Sequence, residues 1–113
     1  MAGLPLNTFK SIPLLVTTSL QTIYTAPLGI TSIVLMAQVS NIVNTAETVS
    51  FQHYSYGTGI TTYIIKDGTV APNDALILLG GKLVLMTGDQ MKIQGSANLA
   101  LEFIASILET ANQ

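Results

Sequence analysis

The chain has 113 residues, 49% of them hydrophobic and only 9% charged, with a formal net charge of −2. That length fits one domain over 1–113, while the charge content lies far below the roughly 25% of an ordinary soluble domain, so much of the surface is expected to be covered by other subunits. Without Arg, and with Lys10, Lys66, Lys82 and Lys92 scattered, there is no phosphate-binding surface and no nucleic-acid role; without Cys there are no disulfides and no thiolate chemistry.

The N-terminus lacks a basic segment followed by an apolar one, so no signal peptide is read there, and residues 1–12 are expected to form an extended arm. The run between Lys10 and Glu47 is uncharged and longer than a bilayer span. It is interrupted by Pro13, Pro27 and Gly29 and is dense in Ser and Thr, so no membrane partner is expected. Leu14–Thr18 and Gln21–Ala26 read as short strands, the second ended by Pro27-Leu28-Gly29. From Thr31 to Val39 the period of two places Ile33, Leu35, Ala37 and Val39 on one face. Val34 and Met36 fall on the other, and a strand apolar on both faces belongs between two layers or in an interface.

Thr48–Tyr56 is the next strand, closed by Gly57-Thr58-Gly59, with Thr61–Lys66 as its hairpin partner. Gly57-Thr58-Gly59 lacks the third glycine and the following helix of a dinucleotide fingerprint, and reads as a turn. Asp67-Gly68 is a turn signal, and Val70–Asp74 is a loop because Pro72 cannot donate to a ladder. Ala75–Leu79, Lys82–Met86 and Gln90–Gln94 follow, with a tight hairpin at Thr87-Gly88-Asp89. The last segment, Leu99–Glu109, carries a helical stripe of Leu101, Ile104, Ala105 and Leu108, but Phe103, Ile104 and Ile107 favour a strand. The result is an all-β chain of eight or nine short, mostly antiparallel strands, a β-sandwich or jelly roll. Its core is expected to hold Ile33, Leu35, Ala37, Val49, Phe51, Leu83, Leu85 and Phe103.

The chemistry available is sparse. Asp67, Asp74 and Asp89 sit in turns, where a carboxylate bonds nearby amides. His53 shares a face with Val49 and Phe51 and reads as a half-buried, hydrogen-bonded residue; a hydrolytic site would also need a nucleophile and an orienting acid. No catalytic residue, no metal site and no cofactor is expected. Tyr54, Tyr56 and Tyr63 are the residues that could line a sugar-binding surface by stacking, although an aromatic cross-strand ladder explains them as well.

The segment Leu20-Gln21-Thr22-Ile23-Tyr24-Thr25-Ala26-Pro27, followed by a turn and Thr31–Val39, resembles the opening of small virion structural proteins of tailed phages, particularly T4-like phages of cyanobacteria. Leu79–Leu85, Thr87-Gly88-Asp89-Gln90 and the ending Ser106–Thr110 are similar to later parts of that family, so the resemblance runs over nearly the whole chain. The middle of the chain departs from it, being made more apolar by Ile64, Ile65, Ile77 and Leu78. The resemblance implies a non-enzymatic virion subunit, assembled in the host cytoplasm, as a capsid decoration or a neck- or tail-associated protein. The alternative is a receptor- or carbohydrate-binding module of a tail fibre. The expected partners are other copies of the chain, in a homotrimer or lattice, and phage capsid, neck or tail proteins. One sandwich core buries only one face of a strand, so Ile104 and Leu108, with Val34 and Met36, are expected to face a neighbouring subunit.

Overall fold

In the computed structural model, which describes residues 7–112, nine strands form two antiparallel sheets with no helix among the described residues. The strands are β1 (Asn7–Leu15), β2 (Gln21–Thr25), β3 (Ile30–Asn41), β4 (Glu47–Tyr54), β5 (Thr61–Val70), β6 (Ala75–Ile77), β7 (Leu83–Leu85), β8 (Gln90–Gly95) and β9 (Leu101–Ala111). The first sheet runs β1-β9-β3-β6, with β7 also paired to β3; the second runs β2-β8-β4-β5. β6 and β7 lie along one side of β3, opposite Gln38–Ser40 and Ser32–Val34. Counted as one edge strand broken at Gly80-Gly81, they make the order that of a jelly roll, two Greek keys folded into a sandwich.

β9 shows why these residues choose a strand. Leu101, Phe103, Ala105 and Ile107 are all buried and alternate with more exposed neighbours, a period of two that a helix could not bury against a sheet. Their face meets Val49 and Phe51 of β4 and Met91 and Ile93 of β8 from the opposite sheet. The Phe51 and Phe103 rings lie 6.0 Å apart, within the range of a favourable aromatic pair.

Several expectations shift. Val34 is fully buried, whereas Ile33 and Leu35 are not in the core. A β-bulge between Val34 and Met36 in the pairing with β9 is the cause. One extra residue there reverses which side chains point inward, so Ser32 and Val34 precede it on the core face and Ala37 and Val39 follow it. Leu83 packs at the margin of the core, half-buried.

Asp67-Gly68 is not a hairpin turn. β5 runs through it, with Val49 opposite Gly68 and Phe51 opposite Ile65, so extra residues bulge out against Ser50. Asp67 holds a positive φ of 50° and its N–H donates to the Ser50 hydroxyl at 3.0 Å. Of the arm expected over 1–12, residues 1–6 lie outside the described residues. Residues 7–12 belong to β1, which begins ahead of the expected Leu14 and pairs with β9 along its length. Leu99, expected in the last strand, sits in the preceding turn at a φ of 59°, which leaves its side chain exposed and turns Ala100 inward.

Candidate functional site

The two outer faces of the sandwich are unlike. On the β1-β9-β3-β6/β7 sheet, direct pairing places side chains in rows across the strands. Phe9, Leu108, Ile33 and Val84 form one row, and Pro13, Ile104, Gln38 and Ile77 form another. Ser11, Ser106 and Met36 lie between them, and Leu15, Glu102, Ser40 and Ala75 close one end. Phe9 is 73% exposed, Ile77 62%, Val84 50% and Ile104 41%. Glu102 is the only charged side chain in these rows. Near it the face dips into an open hollow of about 490 Å³, lined in part by Pro13, Leu15, Ser40 and Ile104.

Three of the four residues expected to meet a neighbour, Met36, Ile104 and Leu108, lie on this face. Val34 does not. The Leu35 bulge turns it into the core, and Ile33 takes its place outside. The pattern of alternation alone missed Phe9 and Pro13, because their strand pairs with a segment at the far end of the chain.

The outer face of the β2-β8-β4-β5 sheet carries Thr22, Lys92, Gln52 and Tyr63 in one row, beside Ser50, Gln94, Tyr54, Gln90 and Thr61. Tyr54 and Tyr63 share this face, each with a lysine over its ring: Lys92 Nζ lies 5.2 Å from the Tyr54 centroid and Lys66 Nζ 5.5 Å from that of Tyr63, which stays 48% exposed. Tyr56 is apart from them, past the end of β4. A side chain at Gly88 would meet its ring at 2.8 Å, so that glycine, at φ 88°, is needed both for the turn and for the close approach. The three tyrosines therefore form no continuous stacking platform.

The ionisable side chains inside the sandwich hold its ends together. Asp89, 5% exposed, accepts the N–H of Tyr56 at 3.0 Å through Oδ1 and that of Met86 at 3.0 Å through Oδ2. His53 Nε2 lies 3.4 Å from Asp89 Oδ2. One carboxylate thus fixes the β4–β5 and β7–β8 turns to each other. At the inner end of β9, Glu109 accepts a hydrogen bond from the Tyr24 hydroxyl and pairs with Lys10 Nζ at 3.2 Å. Tyr24 also shares a hydrogen bond with Ser32 Oγ at 2.7 Å. Burial, and then the bond to Glu109, push the Tyr24 hydroxyl well above its ordinary pKa. All described buried side-chain polar atoms have partners, and no group of three His, Cys, Asp or Glu is placed to hold a metal among the described residues.

The fold is that of the double-sheet jelly-roll class, and solved structures of that shape include components of assemblies. The chain is similar to a protein described with Bacillus endospore appendages that form a novel family of disulfide-linked pili, with a TM-score of 0.57 and 15% identity over 95% of this chain and 88% of that one. It is similar to a chain of infectious bursal disease virus, Gx strain, at a TM-score of 0.59 and 12% identity, covering 94% of this chain and 32% of the viral one. It also resembles VP2 of that virus in a subviral particle, at 0.53 and 13%, covering 94% and 33%. This chain spans about a third of the length of the viral chains, and at these identities the likeness is one of fold. No family model matches the sequence, and the search of curated proteins found no relative.

Proposed function

We propose that the protein is a non-enzymatic structural subunit of a phage virion, built into the particle as a capsid decoration or a neck- or tail-associated protein through the outer face of the β1-β9-β3-β6/β7 sheet. The observation that carries this reading is that face: rows of exposed apolar side chains with Glu102 as their one charge, in a chain with 9% charged residues. Leaving such a patch in water forfeits roughly 1.5–3 kcal/mol for each large side chain that a partner could bury, and it invites aggregation. The polar pairs inside the sandwich bind turns and strands to one another, so they are used up in holding shape. Jelly rolls that serve in a viral shell or a pilus give the reading a precedent of shape. The sequence contains no cysteine, so the assembly proposed here uses no disulfide of this chain.

Electron microscopy of purified particles, with this subunit located in the density, tests the reading. The expected result is density for the chain with Ile104 and Leu108 covered. Absence of the protein from purified particles, or an Ile104 open to solvent in them, would overturn it.

A further inference from the structure

We propose that the partner covering the outer face of the β1-β9-β3-β6/β7 sheet is the same face of a second copy, packed about a two-fold axis that crosses β9 at Ser106; this rests on reading that face as a subunit contact. The edges of the sandwich offer little to a second chain. Pro13 removes a donor from β1, β6 and β7 have three residues each, β5 is bulged opposite β4, and β2 has five residues and an irregular register. Strand addition needs a long, flat, unbroken edge, and none of these is one. What remains is the face.

Its area suits a partner of its own size. Strands about 4.8 Å apart that rise about 3.4 Å per residue, of 9, 11, 12, 3 and 3 residues in β1, β9, β3, β6 and β7, cover roughly 600 Å². That reaches the lower end of the ~600–1,000 Å² per partner of a stable interface. Its chemistry suits an identical surface, because a face with a single charge gives a charged partner nothing to grip.

That charge also selects the axis. The outward residues of β9 are Glu102, Ile104, Ser106, Leu108 and Thr110, with Ser106 in the middle. A two-fold running along the strands would set Glu102 against Glu102 of the other copy. A two-fold across the strands reverses the direction instead, so Ile104 of one copy meets Leu108 of the other and the two Glu102 side chains lie at opposite ends. Ser106 then faces itself across the axis, at the ~10 Å separation of packed sheets.

The absence of cysteine makes this directly testable. Ser106→Cys in the full chain, treated with a short bis-maleimide, should give a covalent dimer, whereas Thr22→Cys on the opposite outer face should not. The unmodified protein should sediment as a dimer, and Ile104→Asp as a folded monomer with an unchanged circular dichroism spectrum. A monomeric wild-type protein, or an oligomer in which Ser106→Cys fails to cross-link, would overturn the two-fold contact. Either result together with particles that contain the protein with this face covered would leave the virion reading standing. A dimer that cross-links through Ser106→Cys but is absent from purified particles would sink the virion reading and keep the contact.

Discussion

The two outer faces share the same pleat, yet one presents Phe9, Ile77, Val84 and Ile104 to its surroundings and the other Thr22, Thr61, Gln94 and Lys92. The second is what an antiparallel sheet facing water normally looks like, polar outside and apolar inside. The first repeats the apolar character of the core on the wrong side of the sheet for a solitary molecule. The low overall charge therefore shows most clearly on the first face, where Glu102 is the one charge in the rows of side chains.

The largest effect expected from this contrast is on assembly. Ile104→Asp should abolish incorporation into particles and dissociate the isolated protein into folded monomers, so its loss of stability in urea unfolding should exceed the ~0.5 kcal/mol usual for a surface site. Thr22→Asp, its counterpart on the polar face, should leave both unchanged. Particle composition by gel and urea unfolding of the isolated chains check the pair, and equal loss of incorporation in both variants would erase the distinction between the faces.

Next in size is the core on which both faces rest. Phe51→Ala removes a fully buried ring packed beside Phe103 and should cost about 3–5 kcal/mol in urea unfolding. A cost below 1 kcal/mol would mean that the two sheets are not held by the packing described.

Tyr24→Phe is smaller and carries a pH signature. Losing the bond to Glu109 should cost about 1–3 kcal/mol at neutral pH. The folded state holds the Tyr24 proton more tightly than the unfolded chain, whose hydroxyl titrates near 10.0. The contribution is thus complete below that pH and declines as pH rises above it, so the gap between wild type and variant should narrow from pH 10 upward. A gap constant between pH 8 and 11 would contradict the Tyr24–Glu109 hydrogen bond. Smallest is Lys92→Ala, which uncovers the Tyr54 ring and should cost about 0.5–1 kcal/mol in thermal or urea unfolding. If it instead created glycan binding on an array, the polar face would have a function that its lysines now block.

The strands were legible because alternation and turn residues are local signals, but their pairing was less so. The hairpin expected at Thr87-Gly88-Asp89 is instead a crossing between sheets, with β7 paired to β3 and β8 to β2 and β4, because the partners that claim these strands lie far away in the chain. In β9 both the strand and its two faces follow from Leu101, Phe103, Ala105 and Ile107, since nothing interrupts the period. In β3 the strand is legible but its faces are not. The bulge at Leu35 arises from pairing with β9, so nothing local marks it, and it exchanges Val34 for Ile33 on the outside. Asp67-Gly68 shows the same limit from the other direction. A residue that accepts a positive φ serves a bulge as readily as a hairpin, and only the partner strand decides. Of the candidate face, Met36, Ile104 and Leu108 could be found from their own strands, whereas Phe9 and Pro13 needed the distant pairing of β1 with β9.

The hydroxyl of Tyr24 has a mechanical consequence. It belongs to β2 in one sheet, while its partners Glu109 and Ser32 belong to β9 and β3 in the other, and Lys10 of β1 ties into the same carboxylate. Dispersion contacts between two sheets resist separation well but sliding poorly, since apolar side chains have no preferred direction in the plane. A directed hydrogen bond from one sheet into a carboxylate anchored on the other acts as a dowel against that sliding. A subunit held by one sheet and struck on the other experiences a load of this kind, and in single-molecule pulling the wild type should yield at a higher shear force than the Tyr24→Phe chain.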